Sequence, residues 1–356
     1  MGSYKKFLGE ILEAAINSDA SDIHIAAGRP PILRMQGHLT PLPNTSVLTS
    51  KDAEELAFIM LTDERKEQFL KQKDIDISLS YEDKARFRIN VYYQLGRINV
   101  AMRLIPTKVR SIKELSLPEA CYQFVRAPQG FLIFVGPAGH GKSTAMAAII
   151  DEINHTRQDH IITIEDPIEY LFKEDKCIID QREVGEDVQD FHRGLREAFR
   201  QDPDVIMIGE MRDAETISSA VTAAETGHLV LATLHTNNAA QTIDRIIDSF
   251  PPYQQSQIRM QLASNILGII SRRLLPKKGG GMINAVELMM ANTAIRNLIR
   301  EGKIHQIGMV IETSSDIGML SLNHSLANLV NQGLVEAIDA EAQSTNVSEL
   351  LMLLKN

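Results

Sequence analysis

The sequence predicts two α/β units: a small one built on an antiparallel sheet, then a larger one built on a doubly wound parallel sheet. Three observations carry this reading. Apolar residues alternate between Ile75 and Ile105, the pattern changes after Pro118 to short unbroken apolar runs separated by helical segments, and a glycine-rich turn joins one of those runs to a helix. At 356 residues the chain is long enough for two domains, each with its own core. The boundaries expected are 1–106, a connector over 107–117, and 118–356.

In the first unit, Phe7, Ile11, Leu12, Ala15 and Ile16 recur at helical spacing, and an extended stretch around Asp22 to Leu39 follows. Strands come next: Ile75, Ile77 and Leu79, then Phe87, Ile89 and Val91, then Ile98, Val100, Met102 and Leu104. Period two puts these residues on a buried face and Arg86, Arg88, Arg97 and Arg103 on the polar one. By itself that pattern fits solvated arginines on an exposed sheet face. From Pro106 to Pro118 the alternation is lost, as in a connector.

Beyond it, FLIFV at 131–135, IITI at 161–164, VIMIG at 205–209 and LVLATL at 229–234 are near-continuous apolar runs, which suit buried parallel strands with helices on both faces. The C-terminal third is expected to be mainly helical. It is interrupted by a turn at Gly279–Gly281 and a strand near Ala285 to Met290.

Composition excludes several classes. A net charge of −9 without a long basic run argues against general nucleic-acid binding, which draws its affinity from Lys and Arg. Cys121 and Cys177 lie far apart with no metal-like spacing, so a reducing compartment and a packing role are expected. No apolar run reaches membrane-spanning length, and Lys5, Lys6, Glu10 and Glu13 break up the amino-terminal segment, so neither export nor membrane insertion is expected.

Gly136 to Thr144 reads GPAGHGKST and satisfies G-x-x-x-x-G-K-[ST], directly after FLIFV and before a helix-like segment. Glycines let successive N–H groups turn in on phosphate oxygens, the following helix presents its positive end, Lys142 reaches the terminal phosphates, and Ser143 suits Mg²⁺. Ala138 and His140 occupy variable positions, and His140 is expected to be exposed.

Hydrolysis also needs groups that orient water and stabilise developing charge, and these belong at the carboxyl ends of the other strands. Glu165, Asp166 and Glu169 follow IITI; Glu210 and Asp213 follow VIMIG. His228 and His235 bracket LVLATL. Zinc ligands, structural groups and reporters of nucleotide state are the alternatives for that pair, and no third ligand at zinc spacing accompanies it.

Taken together, SDIHI at 21–25, FRIN at 87–90, GPAGHGKST at 136–144, ITIEDPIEY at 162–170, QREVG at 181–185, LREAFRQDPDVIMIGEMRD at 195–213, AETGHLVLATLHT at 224–236 and AIRNLIREGK at 294–303 carry a resemblance over nearly the whole chain. The chain resembles the PilT-like type IV pilus retraction ATPases of the secretion ATPase superfamily. The resemblance implies a PAS-like N-terminal domain joined to a RecA-like ATPase domain with a helical C-terminal region, assembled as a homo-hexamer that uses ATP and Mg²⁺ for pilus retraction and twitching motility. It implies that Gly136, Pro137, Ala138, Gly139, His140, Gly141, Lys142, Ser143 and Thr144 cradle the phosphates, with Ser143, Glu165 and Glu210 at the metal. By the same resemblance Glu210 polarises the attacking water, Glu165 assists, His228 and His235 lie beside the nucleotide, and Arg88 and Arg103, with Arg86 a weaker third, approach the phosphates. The implied partners are an inner-membrane pilus platform protein and a PilU-like paralogue, met at the cytoplasmic face of the inner membrane, with no stable nucleic acid.

Extension and type II secretion ATPases share these motifs but are similar to longer chains, many with a four-cysteine zinc insertion that this sequence lacks. AIRNLIREGK resembles the retraction ATPases' C-terminal signature. A DNA motor and a nucleotide-sensing scaffold are the competing classes. The acidic balance speaks against the first and Glu210 against the second.

Overall fold

The computed structural model describes residues 2–355 except Asp19, Gln36, Asp83 and Thr107. The chain divides into two compact units, Met1–Lys108 with Glu169–Leu171, and Val109–Ile168 with Phe172–Asn356.

The first unit contains α1 (Gly2–Asn17), β1 (Asp22–Ile25), β2 (Ile32–Met35), β3 (His38–Pro41), α2 (Ser50–Ile59), α3 (Asp63–Gln72), β4 (Asp74–Tyr81), β5 (Ala85–Gln94) and β6 (Arg97–Ile105). All six strands pair antiparallel in the order β3-β2-β1-β6-β5-β4. One face is buried: Phe87, Ile89 and Val91 of β5 and Val100 and Met102 of β6 join Ile11, Leu12, Leu56 and Phe69 from the helices in one core. Helix α2 starts at a reciprocal cap, Thr49 accepting from the Asp52 amide while Asp52 accepts from the Thr49 amide, which satisfies two donors that the first turn leaves without helical partners.

The second unit opens at Val109. Ile112, Leu115 and Leu117, within the expected connector, are buried in its core. Its elements are α4 (Tyr122–Arg126), β7 (Gly130–Val135), α5 (Lys142–Thr156), β8 (His160–Glu165), β9 (Ile178–Glu183), α6 (Phe191–Ala198), β10 (Val205–Ile208), α7 (Ala214–Glu225), β11 (Leu229–Leu234), α8 (Ala239–Asp248), α9 (Pro252–Asn265), β12 (Ile266–Pro276), β13 (Met282–Met290), α10 (Thr293–Glu301), α11 (Ile307–Thr313), α12 (Leu322–Asn331), α13 (Ala337–Gln343) and α14 (Val347–Lys355). Seven strands run in the order β13-β12-β7-β11-β10-β8-β9, parallel except for β13. Every residue of β7, β10 and β11 is buried, because helices cover both faces: Phe131, Ile133 and Val135 face one core, Leu132 and Phe134 the other.

Two elements depart from the sequence reading. Residues 266–276 form β12 in a stretch expected to be helical, and 178–183 form β9 where no strand was expected. ILGIISRRLLP is apolar on both sides of Ser271-Arg272-Arg273 and alternates with neither period, so its pattern does not separate strand from helix; its pairing with β7 and β13 decides. Cys121 and Cys177 are both buried, and burial pushes the Cys121 thiol up to about 12, which leaves it inert as a nucleophile. Among the described residues no helix is long and apolar enough to cross a membrane.

Candidate active site

The strand order sets the site. Strands β7, β8, β10 and β11 are parallel, so the loops after Val135, Glu165, Ile208 and Leu234 emerge at the same edge of the sheet.

After β7 the chain turns through Gly136 at φ 140° and Gly141 at φ 77° into α5. A Cβ on Gly136 would lie 2.6 Å from the Arg272 carbonyl oxygen, and one on Gly141 would lie 2.9 Å from the Arg272 guanidinium, so neither position has room for a side chain. Ala138 and Gly139 are exposed, Pro137 half-buried, and Ser143 and Thr144 sit half-buried in the first turn of α5. His140 is half-buried rather than exposed: its Nδ1 accepts the Leu274 N–H at 3.1 Å. Burial, then the Arg273 and Lys142 charges, holds its pKa below the ordinary value, consistent with that accepting nitrogen.

Lys142 is buried, with Nζ donating to the carbonyls of Gly136 at 3.0 Å and Pro137 at 3.1 Å and lying 3.3 Å from His235 Nδ1. An ammonium offers only donors, so His235 Nδ1 accepts and Nε2 carries the ring proton. That nitrogen faces Glu210 Oε1 at 3.3 Å, while the other Glu210 oxygen accepts from Arg212 Nε at 2.9 Å; Arg212 reaches on to Asp166 at 3.6 Å. Lys142, His235, Glu210, Arg212 and Asp166 thus form one polar chain across four strand ends. The turn carrying Glu210 is pinned to β11, since Thr233 Oγ1 donates to the Gly209 carbonyl at 2.5 Å and Met211 N–H to the Thr233 carbonyl at 3.2 Å.

Glu165 ends β8 and is 3% exposed. One of its oxygens, Oε1, accepts from Thr163 Oγ1 at 2.7 Å and Gln181 Nε2 at 3.2 Å, so the side chain is held in place.

His228 does not join this group. It precedes β11, which pairs Leu229 with Gly130 and Leu234 with Val135. Six strand residues, about 20 Å, separate it from the phosphate loop of its own chain. There it contacts the Ala223 carbonyl at 2.9 Å and packs edge-on against Phe199. Within the chain His228 and His235 therefore lie apart, because the two ends of a buried strand open on opposite edges of the sheet.

On the first unit's polar face Arg88 and Arg103 are direct cross-strand partners, Arg86 pairs two positions further along with Ile105, and Arg97 pairs with Gln94 near the hairpin tip. Arg97 is thus about 20 Å from Arg103 along β6. Arg103 Nε bonds Asp22 at 3.0 Å, and Asp22 also meets Arg34 at 3.6 Å. Arg88 is exposed beside them.

Sequence reasoning gave no role to Arg212, Thr163, Gln181, Arg272, Arg273 or Glu287. Two arginines inside an apolar run were the available signal for Arg272 and Arg273. Glu287, half-buried on β13, accepts the Ala239 N–H at 2.8 Å, and burial pushes its pKa up to about 7. A carboxyl that holds its proton more tightly folded than unfolded loses stability as pH rises from its ordinary value of 4.5 toward 7. Glu287→Gln, which needs no ionisation, is therefore expected to gain melting temperature relative to the parent as pH goes from about 5 to about 8, by a few degrees. A pH-independent difference between the two melting curves would contradict this.

A phosphate-cradling turn on a doubly wound sheet, with a lysine, two buried or half-buried glutamates and a histidine at neighbouring strand ends, defines a P-loop nucleotide hydrolase. The chain belongs to the type II/IV secretion system protein family, whose profile matches residues 1–295, and it is an ATPase of that family. It is 41% identical to the type IV pilus retraction ATPase PilT of Pseudomonas aeruginosa over 335 residues, 94% of this chain and 97% of the relative. It is also 36% identical to the type IV pilus ATPase PilU of the same organism, over 97% of this chain and 91% of that one. A crystal structure of the pilus retraction motor PilT with bound ADP superposes with TM-score 0.90 at 44% identity, covering 97% of this chain and 98% of the other.

Proposed function

We propose that the chain powers type IV pilus retraction, working as a cytoplasmic homo-hexameric ring at the inner membrane that couples ATP hydrolysis to movement of its PAS-like first unit and so withdraws pilin subunits at a platform protein. The observation that carries this is the likeness to an ADP-bound retraction motor over 97% of the chain.

In this reading Lys142 leaves the Gly136 and Pro137 carbonyls for the β- and γ-phosphates. Glu210, held between Arg212 and His235, orients the attacking water, and Glu165 assists. Mg²⁺ fits the donors available: the Ser143 hydroxyl and the Glu165 and Glu210 carboxylates are hard oxygens. Among the described residues no three His, Cys, Asp or Glu side chains form a metal cage, which suits a cation that is bound largely by phosphates and water. When bound, it neutralises phosphate charge. Arg88 and Arg103 supply guanidiniums to the phosphates from the first unit, and loss of the γ-phosphate removes that attraction.

Deleting the gene in its host and restoring it with the parent or with Glu210→Gln tests the proposal. Hyperpiliated cells that do not retract, rescued by the parent alone, are the expected result; normal retraction in the deletion strain would refute it. The similarity to PilU favours a second reading, an accessory retraction role, which predicts that excess of a PilT-like paralogue restores retraction to the deletion strain.

A further inference from the structure

Strand β12 runs on past the point where β7 gives way to the phosphate loop, and consecutive residues of it reach the loops of the site from both faces of the sheet. Ser271 is paired with Val135, the last residue of β7. On one face the Arg272 guanidinium, 1% exposed, donates to the Gly141 carbonyl, immediately before Lys142. On the other, Arg273 donates through Nη2 to the Asn237 carbonyl at 2.8 Å and its side-chain oxygen at 3.3 Å, and Ser271 Oγ donates to that same carbonyl at 2.9 Å. Asn237 lies two residues after His235. The Leu274 N–H then holds His140 of the phosphate loop at 3.1 Å.

We infer that the Ser271–Leu274 segment is a positioning element of the ATPase, in which Arg273 fixes the His235 turn against the phosphate loop so that His235 stays between Lys142 and Glu210. Stability alone is a poor reason for Arg273 to be there. It is 5% exposed, burial lowers its pKa, and a guanidinium removed from water costs more than the aliphatic residue that an apolar strand would ordinarily place there. Its donors go to backbone: Nη1 to the Arg272 carbonyl at 3.0 Å and Nη2 to the Asn237 turn. That carbonyl of Arg272 is also the atom against which Gly136 packs. One strand thereby links the turn that carries the lysine to the turn that carries the histidine. A shift of His235 by a fraction of an ångström lengthens its contacts to both Lys142 and Glu210, which is the way a residue remote from the reacting atoms lowers turnover.

The inference rests on His235 acting in hydrolysis, so the test is a double-mutant cycle between Arg273→Gln and His235→Ala on the full-length ATPase, with kcat and KM for ATP measured for all four proteins. Arg273→Gln alone is expected to lower kcat about tenfold with KM within about twofold, and to cost no further kcat when His235 is already alanine. An equal loss of kcat in both backgrounds would overturn the inference, since a merely structural arginine costs the same whether or not His235 is present. His235→Ala at parental kcat would instead sink the role of His235, and the inference with it. If Arg273→Gln does not fold, the same cycle with Ser271→Ala, which removes one of the two side-chain donors to the Asn237 carbonyl, reads the same coupling and overturns the inference by the same additivity.

Discussion

Glu210→Gln is expected to bind ADP and ATP within a fewfold of the parent while releasing phosphate about 10²–10³-fold more slowly, the scale of losing one preorganised transition-state group. The substitution keeps side-chain volume and leaves the Lys142 contacts to Gly136 and Pro137 in place, so the phosphate cradle is unchanged. What changes is the acceptor. Both Glu210 oxygens are taken up by donors, Arg212 Nε at 2.9 Å and His235 Nε2 at 3.3 Å, and an amide presents a donor to one of them. The group proposed to aim water then carries no negative charge. Calorimetric nucleotide binding alongside steady-state phosphate release checks this. Parental turnover would remove Glu210 from the hydrolytic role.

Arg88→Ala is expected to cost turnover by about 10²-fold or more, within the range of a charge-stabilising arginine in phosphoryl transfer, although it lies in the unit without the phosphate loop. Its setting argues for an anionic ligand. Arg88 and Arg103 stand directly opposite each other across β5 and β6, an arrangement that like charges disfavour, and Arg103 already shares Asp22 with Arg34. Arg88 is exposed, so truncating it should move folding stability by no more than about 0.5 kcal/mol. Lysine at this position restores the charge but not the planar fork, and partial recovery in Arg88→Lys is expected. Turnover of the assembled protein decides the matter: Arg88→Ala at the parental rate would make this arginine solvated surface charge.

The phosphate loop was legible because its chemistry is written in consecutive residues. Lys142 and Ser143 need only the glycines before them and the helix after them, and all of these are neighbours along the chain. Glu165 and Glu210 were legible for a related reason: each follows a run of buried strand residues, and the ends of parallel strands are where such a sheet presents its ligands. The polar face of the first sheet followed from period two alone. Which of its arginines stand together did not, since the cross-strand register that makes Arg88 and Arg103 neighbours and carries Arg97 to the far end is set by the β5–β6 hairpin.

Local pattern and residues adjacent in the chain suffice for the class of chemistry, the two-unit α/β organisation and the strand ends that bear the acids. Tertiary structure alone decided that ILGIISRRLLP is a strand, that its arginines brace two loops reached from 131 and 36 residues away, and that His228 and His235 open on opposite edges of the sheet. Those outcomes come from non-local pairing. A segment that alternates with neither period does not declare itself strand or helix, and the partner a buried polar group finds is fixed only when distant segments are packed side by side.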